Sequence, residues 1–257
     1  MSAIYKRELA SYFRSPVGYI AMALFSFLSG FLFINQYGNG SINISTEIMS
    51  LTSFFVVIIP VITMGLFAED KKRGTEVIFY TNPISMFEVV LGKFFAALTL
   101  ILILFANVFV HMIITAASGG VINVGTWGSV LVYFCLAILF TSIGVLASAL
   151  SDTQIVSAII CFVALLVIQL LNTVSQLASS GLSSLLSSSM LALDPEKVNT
   201  ACSRFAAAIA WFSPFTKTQD FRYGVFSISP LIFCLSMAIV FLFLTYRILE
   251  KKRWSQK

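Results

Sequence analysis

Six long apolar stretches constrain what this chain can fold into more than any other feature of its sequence. The hydrocarbon core of a bilayer is about 30 Å thick, and an α-helix needs about 20 apolar residues to cross it. Inside the bilayer the backbone must satisfy its own hydrogen bonds, which runs of this length do as helices. We therefore predict an all-α membrane protein with six transmembrane helices. The predicted spans are residues 17–37, 49–68, 94–117, 127–150, 155–174 and 228–246.

The charge content supports this assignment. Asp, Glu, Lys and Arg make up 11% of the 257 residues, whereas soluble domains carry about 25%, so the chain lacks the polar surface that a water-facing globule needs. The net charge is +5, but the basic residues lie between the apolar stretches, where topology and lipid head groups account for them without nucleic acid. The four cysteines form no C-x-x-C pair, which predicts small core residues rather than disulfides or a metal site.

The positions of Lys and Arg predict the orientation of the helices. Three basic residues precede the first span, four follow the second and five follow the last, so twelve of the 16 fall on one side of the membrane. The loops after the first and third spans contain none, and the segment after the fifth contains the other four. Because short basic loops stay in the cytoplasm, we expect both termini and the loop after the second span to be cytoplasmic.

Two further segments are predicted to lie outside the bilayer core. Residues 1–16 form an amphipathic helix that ends at Pro16 and lies in the inner-leaflet interface, or else a basic flank that only sets topology. Residues 175–227 are Ser- and Leu-rich at first. They are predicted to form short external helices over the outer mouth, or a surface loop. Residues 247–257 are expected to form a cytoplasmic tail.

The segment after the second span, residues 69–93, has the most informative pattern. It begins with a charge cluster in which Glu69 and Arg73 have the i,i+4 spacing of a helical ion pair. Gly74 is expected to end that helix, and Thr75 is expected to cap a short new one that ends at Pro83. A short helix across the inner mouth of the bundle suits docking into a groove on a soluble partner.

This pattern resembles that of the membrane subunits of ABC-2 type (type V) ABC exporters. In that family an acidic residue, basic residues, Gly-Thr, an apolar turn and Thr-x-Pro follow the second span. Asp70, Gly74, Thr75, Thr81 and Pro83 match in order and spacing, whereas Glu76 stands one place before the family's usual acidic position. The resemblance implies that an ABC ATPase subunit docks on a coupling helix here. The residues it assigns to docking are Glu69, Asp70, Arg73, Gly74, Thr75, Glu76, Ile78, Tyr80 and Pro83.

The resemblance covers nearly the whole chain. Residues 6–16, 220–225 and 247–254 are similar to a subgroup of permeases linked to gliding motility and to nitrous-oxide-reductase maturation. It implies a non-catalytic half of an exporter that pairs with an identical or paralogous second copy. It also implies that the ATPase partner, and not this chain, binds ATP and Mg²⁺. An auxiliary extracytoplasmic subunit, contact with membrane lipid and a place in the bacterial cytoplasmic (inner) membrane belong to the same expectation.

Two polar stripes lie on the apolar spans. Asn107, His111 and Thr115 repeat every four residues on the third span, and Gln169 and Asn172 share a face of the fifth. Polar groups avoid hydrocarbon, so these faces are expected to meet protein or water. One interpretation is that they line a path between subunits for an amphipathic, lipid-like or peptide cargo. The other is that they form ordinary hydrogen bonds between helices.

Two other functions are alternatives to an exporter permease. A channel or secondary transporter that works without an ATPase is expected to have charged or broken helices at the midplane, and Pro60 in the second span is a candidate break. An intramembrane enzyme needs a nucleophile, an acid–base pair or metal ligands, but the sequence has a single histidine and no phosphate-binding loop. The sequence therefore favours a permease whose motor is another polypeptide.

Overall fold

The computed structural model describes residues 1–38, 43–76, 85–120, 122–187, 213–222 and 226–255, together with Thr200, Arg204 and Trp211. Within these residues every regular element is helical, so the all-α prediction is confirmed for this part of the chain. In chain order the helices are α1 (Ser2–Arg14), α2 (Pro16–Gly38), α3 (Ile44–Ser53), α4 (Phe55–Thr63), α5 (Ala68–Lys72), α6 (Met86–Ala117), α7 (Val124–Leu150), α8 (Gln154–Ser187), α9 (Pro214–Arg222) and α10 (Ser229–Ser255).

Five of these helices, α2, α6, α7, α8 and α10, are long and apolar enough to cross a membrane. A sixth crossing results if α3 and the residues from Phe55 to Lys72, bent by 55° relative to each other, count as one broken span. Helix α7 is central. Of its apolar stretch, 78% is buried inside the chain, whereas the corresponding share is 17% in α8 and in α10. It contacts α3, α4, α6, α8, α9 and α10, while the outer helices keep most of their apolar surface for lipid or a partner.

The second span begins earlier than the prediction of residues 49–68. Asn43 caps α3 by accepting hydrogen bonds from two backbone N–H groups of the first turn, so the helix starts at Ile44. This start places Glu47 inside the helix, whereas the sequence interpretation left it in the loop after the first span. The correction matters because Glu47 is buried.

The second span is also bent rather than straight, and the bend lies at Phe54 instead of at Pro60. Two features weaken the helix around this point. The Thr52 hydroxyl donates to the Met49 carbonyl at 2.6 Å, and such back-bonding favours bending. Pro60 lacks the N–H that would bond to the carbonyl of Val56. The proline therefore acts on the turn before it.

Small residues let α4 and α7 approach each other closely. A Cβ atom added to Gly144 would lie 2.3 Å from Thr63 Oγ1 and 2.8 Å from its Cβ, so glycine is required at this crossing. One turn further along α7, Ser148 is fully buried against the residues that follow α4. The small residues that the sequence shows in the fourth span therefore serve helix packing.

Helix α1 is set apart from α2 by Ser15, whose backbone is extended, as is usual before a proline. Pro16 then provides the first residue of α2. Helix α1 packs against α6, where the Tyr5 hydroxyl lies 2.9 Å from Thr99 Oγ1. Ile4 is buried in the same contact. The amphipathic N-terminal helix thus uses its apolar face to hold the bundle.

Three helices continue beyond the predicted spans. Helix α6 begins at Met86, and its added first turns pack against α1. Helix α8 runs to Ser187, because no proline interrupts the Ser- and Leu-rich sequence predicted as separate short helices. Helix α10 runs to Ser255 and has Lys252 and Arg253 in its last turn, where positive charge favours a helix C-terminus.

Both chain ends lie at one end of the bundle, which we call the termini end, the opposite one being the far end. The amino group of Met1 lies 3.2 Å from Glu88 Oε2 at the start of α6. The Phe87 ring meets the Tyr246 ring near the end of α10, with 6.2 Å between centroids. Chain ends on one side require an even number of crossings, which is six when α3 and the residues from Phe55 to Lys72 count as one bent span.

Candidate functional site at the termini end

The turn that ends α5 is the described part of the predicted docking segment. The Gly74 N–H donates to the Lys71 carbonyl at 3.1 Å, and the Thr75 N–H donates to the Asp70 carbonyl at 2.9 Å, which is a Schellman cap. Gly74 has a φ of 70°, a conformation that glycine adopts without strain. The helix break expected at Gly74 is therefore present.

The charged residues of this segment have different kinds of partner. Glu69 and Arg73 form the expected ion pair and are 34% and 69% exposed. Asp70 instead accepts a hydrogen bond from the Thr75 hydroxyl at 2.8 Å. Glu76 is half-buried. The other predicted docking residues, Ile78, Tyr80 and Pro83, lie outside the described residues.

A buried ionic cluster ties α5 to α1 and α6. Lys93 is 1% exposed, and its ammonium group lies 2.6 Å from Asp70 Oδ2 and 3.0 Å from Glu8 Oε1. Arg7 lies 3.5 Å from the same Asp70 oxygen. One buried cation and two carboxylates, with a second cation at the rim, form the termini-end cluster (Arg7, Glu8, Asp70 and Lys93).

The chain between α4 and α5, residues 64–67, keeps only part of the helical hydrogen bonding, and neighbouring helices satisfy other backbone groups of this turn. Ser148 Oγ of α7 accepts from the N–H groups of Phe67 and Ala68 at 2.9 and 3.2 Å and donates to the Met64 carbonyl at 3.3 Å. Lys93 donates to the Leu66 carbonyl. Buried backbone groups that lacked such partners would destabilise this break.

Tyr12 of α1 satisfies the last free carbonyl of this region. Its hydroxyl donates to the Ile62 carbonyl at 2.8 Å, a group left without a helical partner because Leu66 N–H bonds to Thr63 instead. Burial raises the pKa of Tyr12, since the phenolate would lose its hydration. The hydroxyl therefore stays protonated and remains a donor.

Lys71 connects α5 to the central helix. Its ammonium group donates to the carbonyls of Ala149 and Ser151 at 2.5 and 2.6 Å and lies 3.7 Å from Asp152. These carbonyls end α7, where positive charge favours the helix dipole. Helix α5 is thus held by α1, α6 and α7 together.

The polar stripe on the third span bonds to other helices of the same chain. Asn107 donates to Ser26 Oγ at 2.7 Å, and His111 Nδ1 lies 3.4 Å from Ser29 Oγ. Thr115 is buried, and its hydroxyl has no hydrogen-bond partner among the residues described. On α8, Gln169 is half-buried. Asn172 lies in the same helix, with its side chain outside the description.

The sequence interpretation missed two buried ionisable residues. Lys93 was counted among the loop cations, yet it lies on the face of α6 that carries Val89, Val90 and Ala97, all buried. Glu47 likewise shares a face of α3 with buried apolar residues, which are Ile44, Ile48 and Leu51. In both cases helical spacing was the available signal. The predicted spans, which begin at residues 49 and 94, stop short of these charges instead.

The family of the chain follows from a comparison with models of protein families. Residues 2–254 match the model of the ABC-2 family transporter protein. The chain belongs to this family. No curated protein matches it.

Membership makes the chain a multi-pass membrane subunit of an ABC transporter, of a type that is typically non-catalytic and that implies a complex with an ATPase. Among the residues described, no group of three or more His, Cys, Asp or Glu side chains could hold a metal ion. Cys135, Cys161 and Cys234 are free thiols.

Proposed function

We propose that this ABC-2 permease is half of an exporter and that an ATPase subunit docks at the termini end through residues 69–83. The observation that supports docking here is the anchoring of α5 by three helices. Lys93 and Asp70 connect it to α6, Glu8 connects the same cluster to α1, and Lys71 connects it to α7. A force applied to the exposed side of α5 would reach the whole bundle.

The break at residues 64–67 allows that force to move helices rather than only bend α4. Backbone groups of this turn bond to Ser148 and Lys93, and Tyr12 bonds to the Ile62 carbonyl just before it, all on elements that α5 also contacts or that share its cluster. Closure of an ATPase dimer would then displace α5, α1 and the end of α7 as one unit. In this proposal the termini end faces the cytoplasm, as the distribution of Lys and Arg predicts.

A second permease copy completes the proposed exporter. Helices α8 and α10 bury 17% of their apolar windows inside one chain, which leaves surface for a second copy and for lipid. The hydrogen bonds of Asn107 and His111 within the chain leave Thr115 on α6, and Gln169 and Asn172 on α8, as the remaining candidates for lining a path. We propose an amphipathic, lipid-like or peptide cargo, and the terminal motifs favour the gliding-motility-related subgroup.

Docking is tested by purifying the tagged full-length chain from its native membranes and assaying vanadate-sensitive ATP hydrolysis in the eluate. Glu69→Arg reverses the charge of a half-buried residue of α5, and we expect it to lower the co-purified activity about tenfold. Glu88→Arg, which changes an acid at the same end that is 50% exposed against 34% for Glu69, is the control and should retain it. The docking proposal fails if both variants retain wild-type activity at equal membrane levels.

The same preparation distinguishes the exporter from an ATPase-free channel or secondary transporter. The latter gains some support from the bent second span and its buried Glu47. Proteoliposomes of the purified assembly, loaded with a fluorescent phosphatidylethanolamine, would report ATP-dependent transfer between leaflets through dithionite quenching. Transfer that proceeds equally without ATP would favour the alternative. No transfer of this lipid or of a labelled amphipathic peptide would contradict the proposed cargo class.

A further inference from the structure

A carboxylate and an imidazole lie buried together near the far end of the bundle. Glu47, in the first turn of α3, is 1% exposed, and its Oε1 lies 2.6 Å from Nδ1 of His111 on α6. Ser29 of α2 donates to the same carboxylate oxygen at 3.2 Å. The Phe33 ring stacks on the imidazole with 4.3 Å between centroids. This far-end pair (Glu47 and His111) therefore joins three helices.

Among the residues whose side chains the structure describes, the surroundings of Glu47 supply no other counter-charge. Helices α2 and α7, which pack against α3, contain no Asp, Glu, Lys, Arg or His, and their other titratable groups are tyrosines and Cys135. Helix α9 also contacts α3 and carries Lys217, Asp220 and Arg222, but the Lys217 ammonium lies over the rings of Trp211 and Phe233 at 3.9 and 4.0 Å. Within this described set, His111 is therefore the one group that can balance the charge of the Glu47 carboxylate.

A buried carboxylate is costly unless it is protonated or faces a cation that donates to it. An Oε1 to Nδ1 distance of 2.6 Å is that of a hydrogen bond with the proton between the two atoms. Imidazole is the side chain whose charge ordinarily changes between about pH 5 and pH 8. Removing one proton from the pair leaves a neutral imidazole, which can still donate its N–H, beside a carboxylate in an apolar site whose negative charge the imidazole no longer balances.

We infer that Glu47 and His111 form a proton-binding site and that loss of the shared proton releases α3 from α2 and α6. The ligand is a proton drawn from the compartment at the far end, because His111 is 13% exposed and lies about 9 Å from the end of α6 at 1.5 Å per residue. Helix α3 is able to move separately because it is short and the span bends by 55° beyond it. At low pH α3 then stays packed against α2 and α6, and at high pH these contacts weaken.

The test uses the full-length chain in lipid nanodiscs and needs no ATPase, so its outcome is independent of the proposed function. Thermal unfolding midpoints between pH 6 and pH 9 are compared for the wild type and Glu47→Gln, together with amide hydrogen exchange of Ile44–Ser53 corrected for intrinsic rates. The amide keeps the shape of Glu47 and removes its charge. We expect the wild-type midpoint to fall with rising pH by about 5 °C more than that of Glu47→Gln. We also expect α3 to lose protection only in the wild type.

His111→Gln provides the reciprocal measurement. It leaves the carboxylate without its partner, so the midpoint should drop at pH 8 and recover on acidification as Glu47 takes up a proton, whereas the double variant should show neither effect. Asn107→Ala is the control. It removes a neighbouring hydrogen bond between two groups that do not ionise, so its midpoint should show the same pH dependence as the wild type. If His111→Gln yields no folded protein, the Glu47→Gln comparison decides. Equal pH dependence in the wild type and Glu47→Gln overturns the inference.

Discussion

The part of the bundle that the structure describes contains two buried ionic clusters, one at each end, and they differ in the kind of cation that neutralises the carboxylates. At the termini end, Lys93 lies between Asp70 and Glu8 and also donates to a backbone carbonyl. At the far end, Glu47 faces an imidazole. Lysine ordinarily keeps its charge across physiological pH, whereas histidine does not.

This difference assigns different mechanical roles to the two ends. The termini-end cluster holds α1, α5 and α6 together with groups that ordinarily stay ionised, so it is suited to transmitting force from a docked partner. The far-end pair holds α2, α3 and α6 only while a proton is present. The helix contacts at the termini end therefore do not depend on protonation, whereas those at the far end do.

Removing the buried Lys93 ammonium should produce the largest effect on stability. Lys93→Met leaves Asp70 and Glu8 without their buried counter-charge, and we expect a loss of about 3 to 5 kcal/mol in the free energy of unfolding. Unfolding of the purified chain in one detergent, followed by circular dichroism, measures this loss. The expected deficit is the same at pH 6 and pH 8.

Two further variants sharpen that result. Lys72→Met changes an exposed lysine of the same end and should stay within about 0.5 kcal/mol of the wild type. Combining Lys93→Met with Asp70→Asn and Glu8→Gln removes the uncompensated charges and should recover most of the loss. Wild-type stability of Lys93→Met alone would show that the cluster does not hold the three helices together.

The hydrogen bonds of Ser148 should have an intermediate effect. Ser148→Ala removes the acceptor for Phe67 and Ala68 and the donor to Met64. Leaving buried backbone groups unpaired costs about 2 kcal/mol. Amide exchange of Phe67 and Ala68 should rise in this variant, while exchange in α3 stays unchanged. Ser142→Ala, whose hydroxyl bonds within α7, is the control, and equal exchange in both variants would contradict this role.

The sequence predicts the helices well because apolar length is a property of each segment by itself. It predicts the turn at Gly74 for the same reason, since a Schellman cap is local. The bend at Phe54 is not local in this sense, because Thr52 and Pro60 act from either side and neighbouring helices stabilise the result. A span predicted as a stretch without charged residues also ends too early wherever tertiary contacts bury a charged residue inside the helix.

The two buried clusters were beyond prediction for a related reason. Lys93 meets Glu8 and Asp70 across long separations in the chain, and His111 meets Glu47 in the same way. Spacing along one helix reveals the face on which an ionisable residue lies but not its partner on another helix. The stripe of Asn107, His111 and Thr115 was recognised from its spacing, while the helices that Asn107 and His111 contact became evident from the fold.

The smallest effect is expected from Tyr12, which lies beside the termini-end cluster. Tyr12→Phe removes the donor to the Ile62 carbonyl, and we expect a loss of about 1 kcal/mol. Burial raises the pKa of Tyr12, so its contribution is fully present below the unfolded pKa of about 10 and is lost only when pH rises through the higher folded pKa. The deficit should therefore be equal at pH 6 and pH 9 in thermal unfolding, in contrast to that of the far-end pair. Tyr19→Phe, at an exposed ring of α2, is the matched control, and a Tyr12→Phe deficit that disappears by pH 9 would contradict this account.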